Sequence, residues 1–137
     1  MEKLTKAKIE EFANEIIAFL TKYHMANDTR IYFNGKAIDL NGDWVDLPND
    51  EFDYVVKQKV IKDINPRDYF EYAAQNHILS MSFEGPLYDD LNYDFRHVDE
   101  FDKLFEKYGL YYELGFAYTL SAYPRVDTLE VEYTHYN

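Results

Sequence analysis

The sequence predicts a single α+β domain, in which an antiparallel sheet is covered by an N-terminal helix and a second helix. Two observations support this fold class. In some segments apolar residues recur at spacings of three and four, the period of an amphipathic helix, whereas other segments alternate apolar and polar residues as half-buried strands do. At 137 residues the chain has the length of one ordinary domain, and it contains no linker and no internal repeat.

Two segments have the helical period. Residues 5–25 carry an apolar stripe, and Thr5 is placed to cap the first turn. Residues 98–108 carry a second stripe, which Gly109 is placed to end. A third, short helix is predicted at residues 66–74, because an Asn-Pro pair is typical of a helix start.

The remaining segments predict strands joined by turns. Residues 30–40 contain Asn34-Gly35 between two apolar runs, which predicts a hairpin because a type I′ turn needs positive φ at both central positions. A second Asn-Gly pair is expected to end that hairpin and to leave residues 41–53 as a loop. Further strands are predicted at residues 54–61, 78–83, 110–123 (with a bulge at Gly115) and 127–134.

The composition excludes several classes of function. With 26 acidic and 14 basic residues the net charge is −12, so the chain is repelled by nucleic acid and by anionic membranes and is attracted to basic protein surfaces. The absence of cysteine excludes disulfides and thiolate metal sites. We expect a cytoplasmic protein, because no leader sequence and no run of about 18 apolar residues is present.

The negative charge is concentrated in two segments. The first acidic segment, residues 37–56, has six acidic residues and no basic one, and the second acidic segment, residues 84–102, has seven against Arg96 alone. The rest of the chain has thirteen residues of each sign. Between the two segments lies a small basic group: Lys57, Lys59, Lys62 and Arg67.

This distribution predicts a protein-binding surface and no enzymatic activity. Solubility requires only scattered charge, whereas aromatic residues interleaved with clustered carboxylates are typical of an interface for Arg and Lys. An ordinary solvated acidic surface is the alternative interpretation. No cofactor is expected. The residues predicted to contact a partner are Asp43, Asp46, Asp50, Glu51, Asp53, Tyr88, Asp89, Asp90, Tyr93, Asp94 and Asp99.

Asp-rich loops also raise the question of metal binding. Residues 39–43 and 90–94 each have the pattern Asp-x-Asn-x-Asp, which matches the first three ligands of an EF-hand loop. Both lack the Gly that the sharp turn requires, since Trp44 and Phe95 occupy that position, and both lack the closing Glu. We therefore predict no specific calcium site, which a calorimetric titration would test. A metal-dependent enzyme with Asp and Glu ligands remains an alternative function.

No arrangement of residues indicates nucleophilic catalysis. Ser80, Ser82 and Ser121 lack the Gly-x-Ser-x-Gly context, and Ser80 and Ser82 are expected on the outer face of a strand. His97 lies near Asp94 in the sequence, where a solvated histidine at the start of a helix is expected. Phosphate-binding glycine motifs are absent.

Three segments carry a family resemblance: Asn-Pro-Arg-Asp-Tyr-Phe-Glu-Tyr-Ala at 65–73, Leu-Ser-Met-Ser-Phe-Glu-Gly-Pro-Leu-Tyr at 79–88 and Lys-Tyr-Gly-Leu-Tyr-Tyr-Glu-Leu-Gly at 107–115. Over residues 65–123 the chain resembles a domain of small proteins from Gram-positive phages and plasmids, a group that includes type II anti-CRISPR proteins. The resemblance implies an inhibitor that binds Cas9, either with or without its guide RNA. Cas9 holds nucleic acid in a positively charged channel. It names no catalytic or contact position. A regulatory or structural binding module unrelated to defence is the alternative.

Overall fold

A six-stranded antiparallel sheet forms the centre of the fold in the computed structural model, which describes residues 2–69 and 76–135. Its strands are β1 (Thr29–Phe33), β2 (Lys36–Asp46), β3 (Phe52–Ile61), β5 (Leu79–Phe83), β6 (Leu110–Leu114) and β7 (Thr119–Pro124); β4 (Asn76–His77) and β8 (Thr134–His135) pair separately. The order across the sheet is β3-β2-β1-β5-β7-β6. The predicted α+β class with a single domain is confirmed.

Two helices cover one face of this sheet, as the sequence predicts. They are α1 (Lys6–Lys22) and α3 (Val98–Lys107), and a single turn, α2 (Pro86–Asp89), lies between β5 and α3. The hydroxyl of Thr5 accepts a hydrogen bond of 3.2 Å from the backbone N–H of Lys8, which caps α1. Gly109 has φ of 76°, a conformation that ends α3 and suits glycine.

Aromatic rings from both helices fill the core. Phe12 of α1 meets Phe105 of α3 edge to face, with ring centroids 4.8 Å apart, and Phe101 lies 5.3 Å from Tyr112 of β6. Phe12, Phe101 and Phe105 are fully buried. Burial of each such ring contributes about 1.5–3 kcal/mol, so contacts between the helices and the sheet hold the domain together.

The predicted loop at residues 41–53 is wrong, because β2 continues through Asn41-Gly42 to Asp46 and β3 begins at Phe52. Gly42 does not end the strand. The ring of Tyr54 lies over it, and a Cβ at Gly42 would come within 1.9 Å of the Tyr54 hydroxyl oxygen. The glycine therefore makes room for an aromatic ring from the neighbouring strand.

The predicted single strand at residues 110–123 is also wrong, since it is a hairpin of β6 and β7. The backbone N–H of Gly115 donates to the carbonyl of Thr119 at 3.1 Å, and the N–H of Phe116 donates to the Thr119 hydroxyl at 2.9 Å. Gly115 therefore lies at the start of a turn and not in a bulge. The alternation of apolar residues continues through the turn, which is why periodicity alone concealed it.

Residues 127–134 do not form a strand of the main sheet. Val131 makes an isolated parallel bridge with Leu4, whose N–H donates to the Glu130 carbonyl at 2.8 Å. Only Thr134 and His135 pair with another strand, β4. The apolar alternation at this end therefore reflects partial burial beside the N-terminal residues.

The other predicted elements have the following outcomes. The hairpin at residues 30–40 is confirmed, with positive φ at Asn34 and Gly35. The strands at residues 54–61 and 78–83 are confirmed as β3 and β5. Of the predicted helix at 66–74, Pro66–Asp68 form a 3₁₀ turn, and residues 70–75 lie outside the described residues.

Candidate protein-binding surface

The end of the β2–β3 hairpin extends beyond the rest of the sheet. β1 pairs with β2 only as far as Leu40, opposite Thr29, whereas β2 and β3 remain paired to Asp46 and Phe52. Beyond Leu40 no other strand of the described residues lies beside this hairpin. We call residues 41–57 the arm.

Both faces of the arm carry exposed apolar side chains. The register places Trp44 opposite Tyr54 on one face, and Asp43 opposite Val55 on the other. Trp44 is 57% exposed and Phe52 is 62% exposed, with further exposed apolar side chains at Val45, Leu47 and Val55. Large apolar groups concentrated in this way mark an interaction surface rather than ordinary solvent-facing surface.

The five predicted contact acids of the first acidic segment all lie on the arm and are exposed: Asp43, Asp46, Asp50, Glu51 and Asp53. In the part of the chain that the structure describes, none of them lies within salt-bridge distance of a cationic side chain. Asp39, below the arm, differs because both of its carboxylate oxygens accept hydrogen bonds from Arg30. The arm carboxylates are therefore available to a partner.

A tight turn joins β2 and β3 at the tip of the arm. The N–H of Leu47 donates to the carbonyl of Glu51 at 2.8 Å. Asn49 and Asp50 have φ of 69° and 59°, the left-handed region that Asn and Asp tolerate better than most residues. The signal for this hairpin was present in the sequence, since Leu-Pro-Asn-Asp-Glu separates two alternating runs.

Three carboxylates of the second acidic segment already have partners within the chain. Asp90 is only 4% exposed, and its carboxylate accepts hydrogen bonds from the backbone N–H of His97 at 3.2 Å and from His97 Nδ1 at 3.0 Å. Asp102 accepts a bond of 2.5 Å from the Tyr112 hydroxyl, and Glu100 pairs with Lys22 at 3.4 Å. The prediction that Asp90 contacts a partner therefore has to be corrected, because its carboxylate stabilises the turn before α3.

The other predicted contact residues of this segment lie at the surface. Asp89, Asp94 and Asp99 are exposed, and Asp99 lies in the first turn of α3, where a carboxylate also stabilises the helix dipole. The hydroxyls of Tyr88 and Tyr93 are 3.5 Å apart, with Tyr93 68% exposed.

The arm and the second acidic segment extend from the same end of the sheet. Thr29 of β1 faces Leu40 on one side and Phe83 on the other, so Asn41 and Glu84 both follow at that end of β1. The N–H of Glu84 donates to the carbonyl of Asp28 at 3.2 Å. A cavity of about 450 Å³ opens beside these residues, and its lining includes Asp28, Asn41, Tyr69, Glu84, Phe116 and Tyr118.

The C-terminal end of α1 lies between the arm and α3. His24 packs against Trp44 and Tyr54, with ring centroids 4.5 Å and 5.0 Å apart. The adjacent Tyr23 packs on His97 at 4.0 Å. The base of the arm is thus anchored on the core, while its tip is exposed on both faces.

A buried polar cluster lies on the face of the sheet that points away from α1 and α3. The Ser80 hydroxyl oxygen is 2.8 Å from His77 Nε2 and 2.6 Å from the Ser121 hydroxyl oxygen. Burial lowers the pKa of His77 to about 4. Ser80 and Ser82 lie on the outer face of β5, as predicted, but Ser80 is buried there and Ser82 is half-buried. Because Ser80 is fully buried, this cluster stabilises the sheet and offers no accessible nucleophile.

The two Asp-x-Asn-x-Asp sequences adopt different backbone conformations. Residues 39–43 are extended in β2, and residues 90–94 form a π-helical turn in which the Asn92 amide donates to the carbonyls of Tyr88 and Ala117. Neither conformation is the tight loop that an EF-hand uses. Among residues 2–69 and 76–135, no group of three or more His, Asp or Glu side chains is placed to hold a metal ion. Over the same residues, no helix has the length and apolar character needed to cross a membrane.

Comparisons with known proteins find no matching family model, no matching curated protein and no matching solved structure. The resemblance over residues 65–123 therefore remains a prediction from the sequence.

Proposed function

We propose that this chain is a non-enzymatic protein that binds a basic, nucleic-acid-handling protein through its arm and acts as an inhibitor or decoy. The observation that carries the proposal is the combination found on the arm, where five exposed carboxylates alternate with five exposed apolar side chains. Neither feature alone would suffice. Together they have the composition of an interface with a basic partner.

The apolar side chains supply the contact area of the proposed interface. Buried aromatic anchors carry much of the binding energy of most interfaces, and charged groups at the rim exclude competing partners. Trp44 and Phe52 lie on the same face of the arm and have the size and exposure of such anchors. Asp46 faces Phe52 across the hairpin, so a carboxylate adjoins this apolar pair.

The carboxylates set the chemistry of the partner. Residues 41–56 hold no basic side chain, so the tip of the arm has a uniformly negative potential. A protein that holds nucleic acid presents Arg and Lys in a channel shaped for phosphate, and these side chains fit the arm as they fit phosphate. Together with the family resemblance, this complementarity makes a Cas9-type effector in a bacterial cytoplasm the first target to test.

The test is binding of the purified chain to Cas9, with and without guide RNA, followed by a DNA cleavage assay. The arm variant carries Asp43→Lys, Asp46→Lys and Glu51→Lys. Asp50 is left unchanged because a lysine would be strained at its positive φ. The control variant carries Glu11→Lys, Asp127→Lys and Glu130→Lys, three exposed positions away from the arm that give the same net charge.

The arm variant should lose binding by at least about a hundredfold, because each like-charge contact across an interface costs several kcal/mol, while the control variant should bind like the wild type. Equal loss in both variants would show that only net charge matters and would contradict the role of the arm. If the wild type binds no Cas9 and no other basic nucleic-acid-handling protein, the proposed function is wrong.

A further inference from the structure

The outer edge of β3 is open and unusually long. β3 is the edge strand of the main sheet and, among the described residues, pairs only with β2. It spans Phe52–Ile61, and most of its side chains are exposed, including Phe52 at 62% and Val60 at 52%. Exposed edges of this length are usually covered or paired, because their unpaired N–H and C=O groups are a template for another strand.

Charge is arranged in order along this edge. Its N-terminal end carries Asp50, Glu51 and Asp53, and its C-terminal end carries Lys57, Lys59 and Lys62. The proposed binding of a basic partner gives these lysines no role. An antiparallel copy of the same strand, however, would bring the acidic end of one beside the basic end of the other.

We propose that two copies of the chain pair antiparallel along their β3 edges, with a two-fold axis at Val56, to form a continuous twelve-stranded sheet. Residues 52–60 of one copy then face residues 60–52 of the other. A two-fold interface requires a self-complementary surface, which this register provides. The facing pairs, each present twice, are Asp53 with Lys59, Phe52 with Val60, Tyr54 with Gln58, and Val55 with Lys57.

Other registers are less favourable. A shift by one residue would pair backbone groups that point outward with groups that already bond to β2. A shift that places the axis at Lys57 sets the two copies of Lys57 against each other. A shift that places it at Val55 leaves Phe52 opposite Gln58, so that Phe52 and Val60 no longer cover each other. The register with its axis at Val56 places Asp53 opposite Lys59 and also places Phe52 opposite Val60.

Cysteine cross-linking tests the register directly, because the chain contains no cysteine. Facing residues of antiparallel strands have Cα atoms about 4.5–5.5 Å apart, within the range a disulfide spans. Val56→Cys should therefore form a covalent dimer under mild oxidation, at the concentration where sedimentation shows a wild-type dimer. Val55→Cys, at the axis of the neighbouring register, is the matched control and should cross-link at least about tenfold more slowly.

A charge variant tests the energetics. Asp53→Lys places a lysine opposite Lys59 twice in each dimer, which should weaken dimerisation about tenfold in analytical ultracentrifugation. The double variant Asp53→Lys with Lys59→Gln removes that repulsion and should recover part of the loss. Glutamine is chosen because Lys59 also faces Asp39 within its own sheet, where an acid would be repelled. Asp127→Lys is the control for the change in net charge and should dimerise like the wild type.

Three results would overturn the inference, provided that circular dichroism shows the variants folded. They are a wild type that sediments as a monomer at 100 micromolar or above, a dimer that Asp53→Lys does not weaken, and equal cross-linking of the two cysteine variants. Pairing of β3 with a strand from another protein would appear as a monomer alone and a complex only with that partner. The dimer uses Phe52 and Asp53, which also belong to the arm, so the second copy and a basic partner compete for these two residues. Because the readout is self-association, its failure would leave the proposed binding of a basic partner standing.

Discussion

At the scale of single residues, burial decides what each carboxylate does. Asp46 and Glu51 of the arm are exposed and have no cationic neighbour within salt-bridge distance among the described residues. Asp90 is buried, and its two oxygens accept bonds from His97. Both kinds of carboxylate lie in acidic, aromatic stretches of the sequence, so only the fold separates a stabilising carboxylate from one that is available to a partner.

Replacing Asp90 by Ala should destabilise the domain by about 1–3 kcal/mol, because a methyl group accepts no hydrogen bond and leaves both His97 groups without the Asp90 carboxylate. Asp89→Ala, at an exposed neighbour, should change the free energy of unfolding by less than about 0.5 kcal/mol. Urea unfolding of the two variants measures the difference. Equal stability of the two would show that the Asp90–His97 contacts contribute nothing.

His77 should remain neutral at pH 5, because burial lowers its pKa to about 4. The unfolded chain has the ordinary histidine pKa of about 6.5, so protonation favours unfolding. The stabilising contribution of neutral His77 is complete above about pH 6.5 and is lost as the pH falls toward 4. Titration of the histidine ring protons by NMR tests this, and a His77 resonance that titrates near pH 6.5 would contradict it.

At the scale of elements, periodicity predicted helices and strands but could not locate their ends. The stripe in α1 and the hairpin around Asn34-Gly35 were predicted because local geometry alone determines them. Gly42 and Gly115 were interpreted as a strand end and a bulge, whereas they lie inside a strand and at a turn. For Gly42 the difference depends on Tyr54, whose ring reaches it from the neighbouring strand and leaves no local pattern. For Gly115 it depends on a turn to Thr119 that the continuing apolar alternation conceals.

The same limit applies to the binding surface. The sequence located the five arm carboxylates correctly in one exposed segment, because Asp and Glu side chains without a basic neighbour are rarely buried. It could not show that Val45 and Leu47 are exposed beside them, since apolar residues are normally expected in the core. The exposure follows from the sheet order, because within residues 2–69 and 76–135 no third strand lies beside the arm.

Gly42→Ala should destabilise the arm by about 1–3 kcal/mol, the usual cost of overpacking, because the new methyl group would overlap the ring of Tyr54. Asn41→Ala, an exposed neighbour in the same strand, is the control and should have a small effect. Tyr54→Ala will itself be destabilising through loss of burial. The double variant should lose less stability than the sum of the two single losses, because without the Tyr54 ring the new methyl group has nothing to overlap. Strict additivity in urea unfolding would show that the methyl group and the ring do not clash.

At the scale of the whole molecule, the net charge of −12 is distributed unevenly. The arm and the second acidic segment extend from the same end of the sheet. The sequence outside the two acidic segments has no net charge. Such a molecule has a strong field at one end, which orients it as it approaches a basic surface. Association with a basic partner should therefore depend on where the charge lies and not only on its sum.

Ionic strength separates the contribution of charge position from that of net charge in the rate of association with the proposed basic partner. The Debye length is about 30 Å at 0.01 M salt and about 8 Å at 0.15 M, so long-range attraction is strong at the first concentration and largely screened at the second. The wild-type association rate should fall about tenfold or more between them.

The control variant with Glu11→Lys, Asp127→Lys and Glu130→Lys should keep most of this dependence, because its arm still faces the partner. The arm variant with Asp43→Lys, Asp46→Lys and Glu51→Lys should lose most of it, although both variants have the same net charge. Stopped-flow measurement of the three proteins decides the matter, and equal salt dependence in the two variants would mean that the arm does not guide the encounter.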